Sequence, residues 1–105
     1  MNAKQLAEAY KALSNDKRLE IFLQILRSER KSFPEPCDCF VSEIIGKIGV
    51  GAPTVSHHLK ELAGAGLIET EKNGKFLVAR VNRRVLTEIR DALDIGANAQ
   101  KGGTR

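Results

Sequence analysis

The stretch Gly51-Ala52-Pro53-Thr54-Val55-Ser56-His57-His58-Leu59-Lys60-Glu61-Leu62-Ala63-Gly64 decides how the rest of this chain is read. Val55, Leu59 and Leu62 recur at i, i+4 and i+7, the period of a helix that buries one stripe. Pro53 suits the first turn, where no backbone donor is needed. Gly64 and Gly66 suit its end. The spacing predicts a helix over Ala52–Ala63. Off the stripe stand Ala52, Thr54, Ser56, His57 and Lys60, where a solvent-facing helix more often carries Glu and Lys pairs. Short polar side chains let a helix backbone approach base edges in a major groove, and a helix N-terminus favours a phosphate. These five are the candidate contacts to double-stranded DNA on this helix. His57 and His58 make no shared metal site, because neighbours on a helix diverge by about 100°. His57 is expected outward and His58 at the helix margin.

Upstream, Ile44, Ile45 and Ile48 mark a short helix over Ser42–Lys47 with Ser42 as its cap, and Ile48-Gly49-Val50-Gly51 reads as a tight turn. The two helices and the turn make a helix-turn-helix. Downstream, Leu67–Lys72 and Lys75–Val81 are rich in strand formers and flank Asn73-Gly74. That pair predicts a hairpin with positive φ at both residues. Lys72, Asn73 and Lys75 at its tip are placed to reach a phosphate or the minor groove, so Lys72 and Lys75 join the candidate contacts. Asn82 is positioned to cap a last helix over Arg83–Leu93. At the other end, helices are expected over Ala3–Leu13 and Asp16–Ser28, separated by Ser14-Asn15-Asp16, all good caps. The second has a broad apolar arc of Leu19, Ile21, Phe22, Leu23, Ile25 and Leu26, expected at the centre of the core. Phe33-Pro34-Glu35-Pro36 and the residues through Val41 are expected to be extended.

The resulting order is helix, helix, helix, helix, strand, strand, helix: a mainly α chain with a β-hairpin wing (α+β), a winged helix-turn-helix. Residues 1–95 are assigned to one DNA-binding and dimerisation domain. Residues 96–105, rich in Gly, Ala, Asn, Gln and Lys with nothing to bury, are expected to be a disordered tail.

Composition narrows the function classes. The 105 residues suit a single core. Positive and negative side chains number seven and six over 1–40, five and four over 41–82, and five and three over 83–105, giving +4 overall. An excess so mild and spread out permits nucleic-acid binding without establishing it. No apolar run approaches a membrane span, and Met1-Asn2-Ala3-Lys4-Gln5 lacks the apolar core of a signal peptide, so a cytoplasmic location is expected. In that reducing compartment Cys37 and Cys39 are expected as thiols. An enzyme is disfavoured: no phosphate loop, nucleophile–base pairing or paired-carboxylate pocket can be placed. The competing class is a winged helix used for protein or RNA contacts, or a regulator whose cysteines sense nothing.

Leu13-Ser14-Asn15-Asp16-Lys17-Arg18-Leu19-Glu20-Ile21, Thr54-Val55-Ser56-His57-His58-Leu59-Lys60-Glu61-Leu62, Ala65-Gly66-Leu67-Ile68 and the wing Asn73-Gly74-Lys75 together resemble the ArsR/SmtB family of metal- and arsenic-responsive repressors. The resemblance covers about residues 5–93. It implies a homodimer built by the first and last helices, a role that suits Leu6, Tyr10 and Leu13 with Leu86, Ile89 and Leu93. It also implies a palindromic operator and release from DNA by an inducer. The family often has Ser and Gln where this chain has Gly51 and Ala52, so an operator sequence does not transfer. Its arsenic-type site is a Cys-x-Cys pair at the start of the third helix. Here Cys37-Asp38-Cys39 lies three residues upstream, in the extended segment, where i and i+2 face the same way and both sulfurs can reach one soft ion. Three readings stay open: a dithiolate site for arsenite, As(III), or a soft metal ion, a thiol redox switch, or two inert cysteines. A third ligand would come from Glu35, Asp38 or a partner subunit. The zinc site that some relatives build on the last helix is set aside, because Glu88 and Asp91 are present but no His follows His58.

Overall fold

The computed structural model describes residues 1–31, 39–74 and 76–94. Its elements run α1 (Ala3–Ala12), α2 (Asp16–Lys31), β1 (Cys39–Phe40), α3 (Val41–Ile48), α4 (Ala52–Gly64), β2 (Ile68–Asn73), β3 (Phe76–Val81) and α5 (Arg83–Leu93). The helix and hairpin order matches the sequence reading, and α5 has the expected bounds. Helix α2 runs three residues beyond its expected end, because Glu29, Arg30 and Lys31 are good helix formers.

Local chemistry sets the helix ends. Asn2 and Gln5 form a reciprocal capping box at the start of α1. Of the three candidate caps before α2, Asn15 is used: its Oδ1 accepts from the Arg18 backbone N–H at 3.0 Å. Asn82 caps α5 by accepting from the Val85 N–H at 3.3 Å. The end of α4 is a Schellman motif. The Leu67 N–H donates to the Leu62 carbonyl and the Gly66 N–H to the Ala63 carbonyl, each at 3.0 Å, with Gly66 at φ +81°. Leu62 and Leu67, the two residues such a motif brings into apolar contact, are both fully buried.

The core gathers Ile21, Phe22 and Ile25 of α2, Ile44 and Ile48 of α3, Val55, Leu59 and Leu62 of α4, and Ile68, Ala79 and Val81 of the sheet. Four expectations need correcting. Ser42 does not cap α3; the helix begins at Val41, which is buried, and Ser42 lies exposed in its first turn. Leu19 is exposed rather than central, because the apolar arc of α2 is wider than the surface its neighbours cover. The hairpin turn lies one residue further on: Asn73 pairs with Phe76 and so belongs to the ladder and not to the loop. Gly74 alone takes positive φ among the described hairpin residues, at +66°. The extended segment before α3 contributes a short third strand, and the sheet order is β1-β3-β2 with both pairings antiparallel.

The fully buried residues of helix α1 are Ala9 and Ala12, and Leu13 packs partly buried against the core. Small residues let two helices approach closely, which leaves Leu6 and Leu13 half-buried and Tyr10 at 40% exposure. Helix α5 is strongly amphipathic but has no fully buried residue. Val85, Leu86 and Ile89 are half-buried, and Leu93 is 56% exposed.

Candidate nucleic-acid interface

Helix α4 is held by its stripe. Val55, Leu59 and Leu62 are buried, which sets the inward side of the helix and turns the opposite side outward. Ala52, Thr54, Ser56, His57 and Lys60 are all exposed. The His57 and His58 rings stand 5.8 Å apart and tilted by 51°, one outward and one inward. Gly51 occupies the N-cap position and supplies no side-chain cap. The first amide donors of α4 are therefore open to an external acceptor such as a phosphate oxygen. The turn from α3 uses Gly49 at φ +79°.

The hairpin divides its charge between two faces. Ile68, Thr70 and Lys72 alternate along β2 and pair with Val81, Ala79 and Leu77 of β3, so these six side chains share the face turned to the helices. Glu69 and Glu71 lie on the other face, where Glu71 pairs with Arg80 across the strands. Carboxylates are thus kept off the side that continues from α4. Between helix and hairpin, Ser56, Leu59, Lys60 and Ala63 meet Thr70 and Leu77 around a shallow depression of about 200 Å³. The structure brings Ser56 and Lys60 beside Thr70, with Lys72 further along the same strand face. Thr70 was not singled out from the sequence; its i, i+2 relation to Ile68 and Lys72 was the available signal. Lys75 and Cys37 lie outside the described residues, as do 96–105. Cys39 is placed through its backbone in β1, opposite Ala79.

His58 is 8% exposed and is the one buried polar side chain among the described residues. Its Nδ1 accepts from the Arg18 Nε–H at 3.4 Å. Burial first, then the charges of Arg18 and His57, hold the imidazole below its ordinary pKa of 6.5, with Glu61 pulling the other way. His58 is therefore neutral at physiological pH. Arg18 was quoted in the sequence only as part of a motif, and its partner lies 40 positions away.

Leu6, Leu13, Leu86 and Ile89 are half-buried, while Tyr10 and Leu93 are exposed. The Met1 amino group lies 3.9 Å from the Glu88 carboxylate, which sets the start of α1 beside α5. Among the described residues no helix is long and apolar enough to cross a membrane.

Comparison with known proteins supports a single family. A family model for bacterial regulatory proteins of the arsR family matches residues 35–70, a span that includes α3, α4 and the start of β2. The chain is 34% identical over 102 residues to the arsenical resistance operon repressor of Staphylococcus xylosus, covering 97% of this chain and 89% of that protein. Its fold matches an ArsR-like transcriptional regulator from Rhodococcus sp. RHA1 with TM-score 0.70 and 26% identity, over 93% of this chain and 85% of the other. A winged helix-turn-helix DNA-binding domain from Mycobacterium bovis, described as homodimeric, shares the fold at TM-score 0.64 and 23% identity, over 90% and 82% of the two chains. With its exposed polar helix face and adjoining wing, the chain belongs to the arsR family of bacterial regulatory proteins, as a DNA-binding winged helix-turn-helix transcriptional regulator and not an enzyme.

Proposed function

We propose that the chain is a repressor that binds a palindromic operator as a homodimer through α4 and the hairpin and is released by a thiol-directed inducer. The observation that carries the DNA reading is the split of α4, with Val55, His58, Leu59 and Leu62 buried and Ala52, Thr54, Ser56, His57 and Lys60 exposed. Thr54, Ser56 and His57 would read base edges, while Lys60, Lys72 and Lys75 would hold phosphates. Residues 1–95 would form the whole working domain, with 96–105 as a tail.

The dimer reading is supported by apolar residues of α1 and α5 that keep exposed surface: Leu6, Leu13, Leu86 and Ile89 are half-buried, and Tyr10 and Leu93 are exposed. The Mycobacterium bovis domain of the same fold is homodimeric by its description. A two-fold axis there would place two α4 helices about one DNA turn apart. The inducer reading rests on Cys37-Asp38-Cys39 and on the arsenical-resistance relative. Cys39 lies in β1, which pairs with β3 and leads directly into α3 at the buried Val41. An ion drawn to both sulfurs would load the strand from which the helix-turn-helix begins.

The test is binding to a duplex from the region upstream of the chain's own coding sequence. Affinity is expected to fall steeply with salt, and Thr54→Ala with His57→Ala is expected to abolish preference over unrelated duplex. Unchanged preference in that double variant would remove these residues from the interface. A release titration with arsenite, cadmium, zinc, copper(I) and peroxide, on wild type and on Cys37→Ser/Cys39→Ser, tests the inducer. If the serine variant is released as readily as wild type, the cysteines are not the sensor.

A further inference from the structure

A single arginine ties the junction of α1 and α2 to the middle of α4. The Arg18 backbone N–H is capped by Asn15 at the start of α2. Its Nη1–H donates to the Ala12 carbonyl at 3.2 Å. That carbonyl belongs to the last turn of α1, whose oxygens have no partner within the helix. Its Nε–H donates to His58 on the inner side of α4. The other inward groups of α4 are Val55, Leu59 and Leu62. Apolar burial is non-directional and tolerates small rotations of a helix about its axis. A hydrogen bond with fixed donor and acceptor does not.

We propose that Arg18 is a positioning residue for DNA recognition: through neutral His58 it locks the rotation of α4 against the α1–α2 junction, and protonation of His58 releases that lock and lowers affinity for DNA. The proposal rests on α4 being the recognition helix. The contact needs the proton on Nε2, so that Nδ1 accepts. A second proton on Nδ1 would remove the acceptor and set an imidazolium against the guanidinium. The charged groups around the pair are Arg18 from α2, His57 and Glu61 from α4, and Glu8 and Lys11 from α1. The last two line an open cleft of about 520 Å³ together with Arg18 and Glu61. Glu8 and Lys11 offer one charge of each sign, and Glu61 on α4 acts on His58 in the opposite direction to Arg18 and His57. Because α1 also carries Leu6, Tyr10 and Leu13, the same lock would relate the rotation of α4 to the helix proposed to meet a second subunit.

The experiment measures affinity for the upstream duplex by fluorescence anisotropy at fixed ionic strength between about pH 8 and about pH 5.5, the window in which an imidazole changes charge. It is carried out in wild type and again in His57→Gln, each profile scaled to its own affinity at about pH 8, because His57 is itself a proposed base contact whose loss is expected to weaken binding at every pH. Affinity is expected to fall about tenfold on acidification, the scale of losing one hydrogen bond to a charged group. His58→Gln, which keeps an acceptor but cannot titrate, is expected to bind with a flat profile. Arg18→Met, which keeps the aliphatic stem, is expected to bind about tenfold more weakly at neutral pH and also with little pH dependence. A second readout uses no DNA: long-range proton–nitrogen spectra of the His58 ring in wild type should report a bare Nδ1, and its midpoint should rise when Arg18 is replaced. A steep profile retained in His58→Gln, or a His58 midpoint unmoved by Arg18→Met, overturns the proposal while leaving DNA binding intact. Failure of wild type to bind any duplex overturns the recognition-helix reading and the functional half of the proposal with it. The ring spectra would still decide whether the contact exists.

Discussion

Replacing Leu62 by alanine separates the two faces of α4 in a single measurement. Leu62 is fully buried within the core. Its truncation removes three carbons, about 2–2.5 kcal/mol of transfer free energy at about 0.8 kcal/mol per methylene. The cavity adds to this, because the surroundings relax only partly, and brings the usual cost of such a change to about 3–4 kcal/mol. The better helix propensity of alanine returns only a few tenths of a kcal/mol. Leu62 also supplies the apolar partner of Leu67 in the Schellman turn, which places the estimate at about 3 kcal/mol rather than lower. For a domain of this size, whose whole stability is about 5–15 kcal/mol, that corresponds to a fall of roughly 12–24 °C in Tm. Thr54→Ala, eight positions earlier and exposed, is expected to cost under about 0.5 kcal/mol. The assay is urea unfolding followed by circular dichroism at one protomer concentration, because association would shift the midpoint by mass action. An m-value common to the three proteins would confirm that the folded and unfolded states compare. A Leu62→Ala cost below about 1 kcal/mol, or a Thr54→Ala cost as large as that of Leu62→Ala, would refute the assignment of inner and outer faces.

Three further outcomes are expected. The folded-state pKa of His58 is depressed, so the unfolded chain binds the proton more readily; stability should be greatest above pH 6.5 and decline as pH falls from 6.5 toward the folded value. Urea midpoints across that range should show the decline in wild type and lose this component in His58→Gln. Gly66→Ala should cost about 1–2 kcal/mol, because φ of +81° strains an L side chain, although the added Cβ would meet only Val85 Cγ2 at an ordinary 3.9 Å; thermal unfolding that matches wild type would argue against the left-handed turn. Lys60→Ala should lower the slope of log affinity against log salt by about one and weaken specific and unrelated duplexes alike, and an unchanged slope would remove Lys60 from the phosphate contacts.

Elements decided by local chemistry were legible before the structure. The Val55-Leu59-Leu62 stripe, Pro53 in the first turn, the cap at Asn82 and the glycine at 66 each act within a few residues, and their signals lie side by side in the chain. They determined the helix-turn-helix, the bounds of α5 and the presence of a hairpin. Ala52, Thr54, Ser56, His57 and Lys60 were identifiable as outward for the same reason, since a buried stripe implies its opposite face.

What the tertiary structure alone decided involves partners far apart in sequence. Cys39 and Phe40 are extended on local grounds, but their pairing with Ala79 and Val78 depends on where β3 passes. The hairpin turn lies one position beyond Asn73-Gly74, with Asn73 paired to Phe76 and Ile68 opposite Val81, and that register is set by how the two whole strands meet and not by the two turn residues. Helix α1 shows the clearest division. Leu6, Tyr10 and Leu13 stand out in the sequence by size, yet close helix approach makes Ala9 and Ala12 the fully buried residues, with Leu6 and Leu13 half-buried and Tyr10 exposed. The meeting of Arg18 with His58 is a property of packing in the same sense: side-chain periodicity says which way a helix faces, and only the assembled fold says what it faces.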